Sequence, residues 1–228
     1  MTAKFKVNVL VVLFALGLLT FGWLRTQSGA TGIVAVLSGL ATPLYVGLAV
    51  AVAFAFIRTG VPVRRLGFFI SSGSLRILAL AVLGVGLLQL SGMFLSPLWE
   101  ELFGAGRDLT RLNNVRGSVP ALVTTLLLSW TFAAFGEELT FRILLMRGIA
   151  FALGDSRVAF ALALLLQAMI FGLVHAYQGP AGIAGTMTSG LIFGGLTLAA
   201  RGSIWPAALA HGFNNTIGLL QLYAGGAT

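Results

Sequence analysis

The sequence predicts an all-α membrane protein, a polytopic bundle of about seven spanning helices, on the basis of three observations. First, 58% of the 228 residues are hydrophobic and only 9% are charged, whereas soluble domains carry roughly 25% charged residues. Second, the mean hydropathy is +1.00. Third, the charged residues are clustered, and the stretches between them are long enough for membrane-spanning helices of about 20 residues. These uncharged stretches are 7–24, 26–57, 77–99, 117–136, 158–200 and 202–228.

The expected spans follow these stretches in order. The first stretch comes after two lysines, as in a signal peptide, but it is longer than the usual apolar region of roughly 7–15 residues, so we expect a spanning helix. The stretch 158–200 is long enough for two crossings, and we expect the break at Gly179-Pro180 because proline cannot continue a helix. The expected spans are 7–24, 33–57, 77–98, 119–146 or beyond, 157–177, 181–200 and 203–223, with room for an eighth.

The basic residues distinguish the two sides of the predicted bundle. Since successive loops alternate sides, nine lysines and arginines fall on the side of the N-terminus and four on the other. Cytoplasmic loops of membrane proteins carry an excess of Lys and Arg, so we expect a cytoplasmic N-terminus. The nine are Lys4, Lys6, Arg58, Arg64, Arg65, Arg76, Arg147, Arg157 and Arg201, and the four are Arg25, Arg107, Arg111 and Arg116.

The composition also excludes several classes of protein. The high hydrophobicity excludes intrinsic disorder, and the absence of cysteine excludes a disulfide framework. The net charge of +8 does not indicate nucleic-acid binding, because the basic groups are spread over helix ends and are not gathered on one face.

Ionisable residues inside the predicted spans are the first candidates for function, because a charge at the bilayer centre costs about 2.5–3.5 kcal/mol on insertion scales. Glu138 and Arg142 are four residues apart in FGEELTFR, which puts them on one helix face in a favourable order. Such a pair inside a bundle is commonly structural. Glu137 is rotated by about 100° from Glu138 around the helix and needs another partner, which makes it the candidate general acid or base.

His175, in the segment FGLVH, is the partner that the predicted geometry offers to Glu137. If the helices flanking Gly154-Asp155-Ser156 form an antiparallel hairpin, residues whose numbers sum to about 311 lie at the same depth. Glu137 is then level with residue 174, and at 1.5 Å per residue both lie about 27 Å from the turn. We therefore expect a carboxylate and an imidazole to meet there, an arrangement that can activate water.

His211 and Asn215, in HGFNN, are also four residues apart and share one face of the last predicted helix. Together they can donate two hydrogen bonds to an oxyanion, and each such donor contributes roughly 3–4 kcal/mol in proteases. Asn215 could instead form a hydrogen bond that bridges two helices.

Three motifs in this order resemble those of one membrane family. EELTFR fits EExxxR, FGLVH fits FxxxH and HGFNN fits HxxxN, across residues 137–215. This part of the chain resembles the CAAX protease and bacteriocin-processing (CPBP, or ABI) family of intramembrane endopeptidases, which includes the CAAX prenyl endopeptidase. Arg65-Leu66-Gly67-Phe68 resembles the basic stretch with Leu-Gly that these proteins often carry ahead of the core.

The resemblance implies an integral membrane enzyme, in a bacterial-type plasma membrane, that hydrolyses a peptide bond in a membrane-associated or prenylated peptide. Residues 1–228 would form a single membrane domain, with membrane lipids as further partners and the catalytic core within 117–223. By the same resemblance Glu137 would activate water with His175 as its partner, while His211 and Asn215 would stabilise the tetrahedral intermediate. The supporting residues that it implies are Glu138, Arg142 and Phe171.

The same residues allow other interpretations of the function. Glu137, His175 and His211 could hold a zinc ion with an open position for water. The sequence lacks HExxH, however, and Asn215 is a poor zinc ligand but a good oxyanion donor, so we expect no metal and no other cofactor. A transporter would also have carboxylates and histidines at mid-membrane, although no inverted repeat is visible. A non-catalytic scaffold or bacteriocin-immunity protein would keep the fold without using Glu137.

Overall fold

The computed structural model describes residues 3–27, 29–58 and 73–225, and these form a bundle of long helices that confirms the predicted all-α membrane fold. Arg64, Arg65 and the stretch 65–68 lie outside the described residues. The helices are α1 (Ala3–Thr26), α2 (Gly32–Gly39), α3 (Ala41–Arg58), α4 (Ser74–Phe103), α5 (Val119–Ala152), α6 (Arg157–Val174), α7 (Gly179–Ala199) and α8 (Trp205–Tyr223), with short 3-10 turns at Thr110–Val115 and Ala176–Gln178.

Six of the described helices are long and apolar enough to cross a membrane, namely α1, α3, α4, α5, α6 and α7. The seventh expected span forms a helix of 19 residues, α8. It is not among the six, since His211, Asn214 and Asn215 lower its hydropathy. The expected count of about seven spans is therefore not confirmed.

The expected span at 33–57 is wrong in its first part. The chain forms two helices there, because α2 ends at Gly39 and Leu40 leaves the helical conformation, with φ −91° and ψ 3°. Pro43 then lies in the first turn of α3, where the missing N–H of proline is tolerated. Of the two helices, only α3 has the length and composition of a span.

The predicted hairpin is formed by α5 and α6. Its turn has Gly154 at φ 97° and Asp155 at φ 55°, a left-handed conformation that glycine adopts freely and aspartate tolerates. The Ser156 side chain accepts a hydrogen bond of 3.0 Å from the N–H of Ala159 and so caps α6. At 34 residues α5 exceeds the length that a span requires, so we expect the hairpin to project beyond the bilayer.

The backbone of α5 widens where the two glutamates lie. Its hydrogen bonding is π-helical over Ser129–Glu137 and again over Leu139–Met146. Glu137 and Glu138 therefore lie at the junction of the two widened segments. π-Helical turns are rare and are found frequently at functional sites. This conformation therefore makes the two glutamates candidates for a functional site.

The end of the bundle opposite the N-terminus carries one group of charged residues. This distal end comprises the last turns of α1, α4 and α8, the segment 104–118 and the turn 176–178. The N–H of Asp108 donates to the carbonyl oxygen of Gln178 at 2.9 Å and so ties the segment to the turn. The four arginines expected on this side are located here, namely Arg25, Arg107, Arg111 and Arg116.

Helix α1 approaches the end of α6 closely at Gly22. A Cβ atom on Gly22 would lie 2.7 Å from the Cα of Val174 and 3.1 Å from the carbonyl oxygen of Leu173. Because both are backbone atoms, no side-chain rotation can relieve the contact. The absence of a side chain at Gly22 thus lets α1 support the last turn of α6, directly before His175.

We expect Gly22→Ala to destabilise the protein by about 1–3 kcal/mol, because overpacking forces backbone shifts. Gly47 on α3 is a matched control, since a Cβ there would meet nothing within 4 Å, and alanine favours a helix over glycine. Thermal unfolding in detergent should show a lower Tm for Gly22→Ala and an unchanged or higher Tm for Gly47→Ala. Equal Tm values for the two variants would contradict the close approach.

Candidate active site

A cavity of about 910 Å³ lies inside the bundle and reaches the distal end. Glu137 of α5, His175 after α6, and His211 and Asn215 of α8 all line this cavity, together with Phe171. Folding thus brings the four residues that the motifs single out to one space, although they come from three parts of the chain. The cavity is partly open, so a substrate can enter it from outside the bundle.

Glu137 and His175 face each other in this cavity. Oε1 of Glu137 lies 3.8 Å from Nε2 of His175, which is too long for a direct hydrogen bond. Nδ1 of His175 lies 2.8 Å from the carbonyl oxygen of Phe171. Since a carbonyl can only accept, Nδ1 carries the hydrogen and Nε2 of the neutral ring is an acceptor. Two acceptors that face each other suit a molecule with two hydrogens to donate, such as water.

Aromatic packing surrounds this pair while leaving it accessible. The side chains of Glu137 and His175 are 16% and 9% exposed, whereas Phe171 is 2% exposed. The ring centre of Phe171 lies 4.9 Å from that of His175 and 4.7 Å from that of Phe141, both edge to face. Phe171 therefore holds the imidazole in position from one turn earlier in the chain.

Glu138 has two partners and is fully buried. Its Oε2 lies 3.0 Å from Nε of Arg142, in an ion pair without a well-aligned hydrogen bond. Its Oε1 lies 3.0 Å from Nδ1 of His211. Because the carboxylate accepts, Nδ1 of His211 donates, and Nε2 is the ring nitrogen left for the cavity. The spacing in the sequence predicts the first partner but not the second, which joins α5 to α8.

Arg142 is held by further groups that the sequence analysis does not single out. Its Nη2 lies 3.4 Å from the carbonyl oxygen of Gly190, which also accepts from Nε2 of Gln167 at 2.9 Å. The guanidinium carbon lies 4.6 Å from the ring centre of Phe171 and 5.2 Å from that of Phe193. These contacts replace water around a buried cation. Gln167 is a polar but not an ionisable residue in an apolar stretch, so a criterion extended from ionisable to all polar residues would have found it.

The ring of His211 is fixed from a second direction by Phe193 of α7. The two rings are stacked, with centres 4.6 Å apart and an angle of 17° between their planes. Gly212 leaves room beside it for Trp130, since a Cβ on Gly212 would lie 2.5 Å from the indole ring. Phe193 is one of many apolar residues in its helix, and no signal in the sequence distinguishes it.

Asn215 lies one turn after His211 and is bonded to Ser129 of α5. Its Nδ2 donates to the Ser129 hydroxyl at 3.1 Å. The amide has two hydrogens, so one of them is left for the cavity. The neighbouring Asn214 accepts from Nε2 of Gln89 at 2.8 Å and belongs to the contact between α4 and α8. The sequence offers no signal for Ser129, which is one of several hydroxyl residues in the spans.

Whether these residues fit a zinc ion depends on which side-chain atoms could bind it. In both histidines Nδ1 forms a hydrogen bond, which leaves Nε2 able either to bind a metal or to form a hydrogen bond. In the part of the chain that the structure describes, however, no group of three or more His, Cys, Asp or Glu side chains could hold a metal ion. Glu137, His175 and His211 as they stand do not fit a three-ligand zinc site.

Comparison with known proteins agrees with the motifs. Residues 119–217 match the family model described as type II CAAX prenyl endopeptidase, Rce1-like. The match covers somewhat less than half of the chain and includes all three motifs. The resemblance drawn from the sequence is thereby confirmed for this region. No curated protein and no solved structure matches the chain.

Proposed function

We propose, on the premise that residues 119–217 form an Rce1-like domain of the CAAX protease family, that this protein is an intramembrane endopeptidase. It hydrolyses a peptide bond in the C-terminal region of a membrane-associated or lipidated peptide. The observation that carries the proposal is the pair of acceptors, the Glu137 carboxylate and Nε2 of His175, 3.8 Å apart in one cavity. Their spacing supports a water molecule as the nucleophile.

In the first step Glu137 takes a proton from this water, and the water oxygen forms a bond to the carbonyl carbon of the substrate. His175, whose Nδ1–H is donated to Phe171, orients the water through its acceptor Nε2. The proton on Glu137 then passes to the amide nitrogen as the C–N bond breaks. The second proton of the water stays on the new carboxyl group and then passes to the new amine or to solvent, so the products are a carboxylate and an amine and the step balances without a cofactor.

His211 and Asn215 stabilise the negative charge that develops on the carbonyl oxygen. Nδ1 of His211 donates to Glu138, so a hydrogen on Nε2 is the one that His211 offers to this oxygen. Asn215 offers its second amide hydrogen, since the first is donated to Ser129. Each donor of this kind contributes about 3–4 kcal/mol to transition-state stabilisation.

The walls of the cavity suit an amphipathic substrate. Apolar side chains that include Phe21, Leu88 and Phe132 line it, together with polar side chains. A peptide with a lipid or an apolar segment can therefore bury its apolar part while its backbone reaches Glu137. This composition is the one expected of ligand sites in general, in which a few polar groups orient a mainly apolar ligand.

The test is cleavage of a panel of prenylated and unmodified C-terminal peptides by the purified protein in lipid vesicles, with products identified by mass spectrometry. We expect at least one peptide to be cleaved. We also expect 1,10-phenanthroline, a zinc chelator, to leave the rate unchanged, because the proposed base is a carboxylate and not a metal-bound hydroxide.

A rate that falls with the chelator and returns on addition of zinc would contradict the metal-free mechanism. If the folded protein cleaves no peptide, the proposed function is wrong, and the scaffold and transporter hypotheses become the better ones. Substrate-dependent flux in the same vesicles then distinguishes the transporter from the scaffold.

A further inference from the structure

Three arginines lie around the distal part of the cavity. Arg25, at the end of α1, and Arg107, after α4, line the same cavity as Glu137 and His175. Arg111 follows in the 3-10 turn of the same segment. Within residues 3–27, 29–58 and 73–225, none of the three arginines forms an ion pair with a carboxylate. A group of cations beside a cavity, without anionic partners, is a feature that the proposed mechanism does not use.

Two of these arginines are held by Tyr177, two residues after His175. The guanidinium carbons of Arg25 and Arg111 lie 4.0 Å and 4.6 Å from the centre of the Tyr177 ring, a distance at which the ring attracts a cation. Nη2 of Arg111 also donates to the carbonyl oxygen of Arg25 at 2.6 Å. These contacts hold the two positive charges close together.

Arg107 is held through one of its five N–H donors. Its Nε donates to Oε1 of Gln178 at 2.7 Å, and Gln178 is only 6% exposed. The structure gives Arg107 no other hydrogen-bond partner among the described residues. The four N–H groups on its two terminal nitrogens therefore remain for a ligand, in the fork geometry that matches a carboxylate.

Asp108 interacts electrostatically with Arg111, but within the described residues no carboxylate of the distal end is paired with Arg107. Asp108 accepts from the N–H and the hydroxyl of Thr110 at 2.9 Å and 2.7 Å, and these hydrogen bonds lower the pKa of Asp108 from its usual value. Glu100 lines the cavity, yet neither Glu100 nor Glu101 forms an ion pair with any residue that the structure describes. The positive charge near Arg107 thus stays available.

The arginines interact electrostatically with the two groups that act on water, Glu137 and His175. Arg25 and Arg107 are both close enough to interact electrostatically with His175, and each also interacts with Glu137. An anion bound by these arginines would therefore lie in the same cavity as the scissile bond. We expect this anion to belong to a part of the substrate that is only a few residues from that bond. The anion of a peptide substrate that is closest to a bond in its C-terminal region is its own terminal carboxylate.

We propose that Arg107, assisted by the charge of Arg25, binds the free C-terminal carboxylate of the peptide substrate. The inference rests on the proposed peptidase function and deepens it by naming the group that selects the substrate. Guanidinium and carboxylate form two parallel charge-assisted hydrogen bonds. Gln178, which holds Arg107, follows His175 closely in the chain. A carboxylate bound by Arg107 therefore lies at a limited distance from the reacting groups, and this distance limits how far from its C-terminus a substrate can be cut.

The test compares one short S-farnesylated peptide in two forms, with a free C-terminal carboxylate and as the C-terminal carboxamide, in phosphatidylcholine vesicles. The wild type should show a KM for the acid that is about 10- to 100-fold lower than the KM for the amide, given the usual strength of hydrogen bonds to charged groups. Arg107→Gln should remove this preference by raising the KM of the acid. Arg116→Gln is the control, since Arg116 is in the same segment but does not line the cavity.

Equal KM values for acid and amide in the wild type would overturn the proposal, as would an Arg107→Gln effect of the same size on both. A lipid phosphate is the other source of an oxyanion. If Arg107→Gln changes the rate only in vesicles that contain phosphatidylglycerol, and equally for both peptides, the arginine binds headgroups and the carboxylate proposal is wrong.

Binding of the same two peptides to the Glu137→Gln protein separates this inference from the peptidase proposal. Fluorescence anisotropy should show tighter binding of the acid, and Arg107→Gln in the same background should remove the difference. If no peptide is cleaved by the wild type but this preference is found, the carboxylate subsite stands and the peptidase function fails. If no preference is found, the subsite proposal fails whatever the activity.

Discussion

Glu137→Gln is expected to lower kcat/KM by about 10²- to 10⁴-fold, the range by which general acid–base catalysis accelerates a reaction. The amide of glutamine has nearly the shape of the carboxylate but cannot take a proton from water. The side chain of Glu137 has no ion pair as close as the 3.0 Å contacts of Glu138. The loss should therefore appear in kcat, measured on the best peptide of the panel, with little change in Tm.

The matched control for this prediction is Glu101→Gln, which makes the same chemical change on a glutamate that does not line the cavity. It should leave kcat and Tm unchanged. His175→Ala should reduce kcat in the same way as Glu137→Gln, because the two residues act on one water. Normal turnover by Glu137→Gln would show that another group activates water and would remove the basis of the proposed mechanism.

The contact between Glu137 and His175 could be predicted because it depends on few quantities. The rise per residue of a helix is nearly constant, and the Gly154-Asp155 dipeptide marks a turn that needs two left-handed residues. Depth in a hairpin then follows from residue numbers alone. The π-helical segment Leu139–Met146 lies between Glu137 and the turn, and the two side chains still meet, with 3.8 Å between Oε1 and Nε2.

The contacts of Glu138 and Asn215 show why the rest of the site could not be predicted. The bond from Glu138 to His211 depends on how α5 and α8 are rotated toward each other, and periodicity does not report the angle between two helices. The same holds for Asn215 and Ser129. Both contacts are visible only once the whole core has packed. The ion pair of Glu138 with Arg142, by contrast, lies within one helix and follows from spacing.

The break in the expected second span has a different cause. The stretch 26–57 is uncharged throughout, so its composition suits one long helix. Local conformation overrides composition there, since Gly39 ends one helix and Pro43 lies in the first turn of the next. A proline four residues after a glycine was available as a signal in the sequence. Composition finds stretches of membrane length but not the breaks inside them.

Glu138→Ala is expected to destabilise the protein by about 3–5 kcal/mol, because it leaves Arg142 as a buried cation without its carboxylate. Both side chains are 0% exposed, so water cannot replace the lost partner. Thermal unfolding in detergent should show the largest fall in Tm among the variants of the site. A Tm equal to that of the wild type would mean that the ion pair contributes nothing to the fold.

The double variant Glu138→Leu with Arg142→Met separates the two roles of Glu138. Replacement of both charges by apolar groups of similar size leaves no unpaired ion, so stability should return to near the wild-type value. Activity should not return, because the Nδ1–H of His211 no longer has the Glu138 carboxylate as its acceptor. Without this hydrogen bond the ring is not held with Nε2 toward the cavity. Recovery of stability together with activity would make Glu138 a purely structural residue. Recovery of stability alone would show that the carboxylate positions His211, because a stable fold without it would then be insufficient for catalysis.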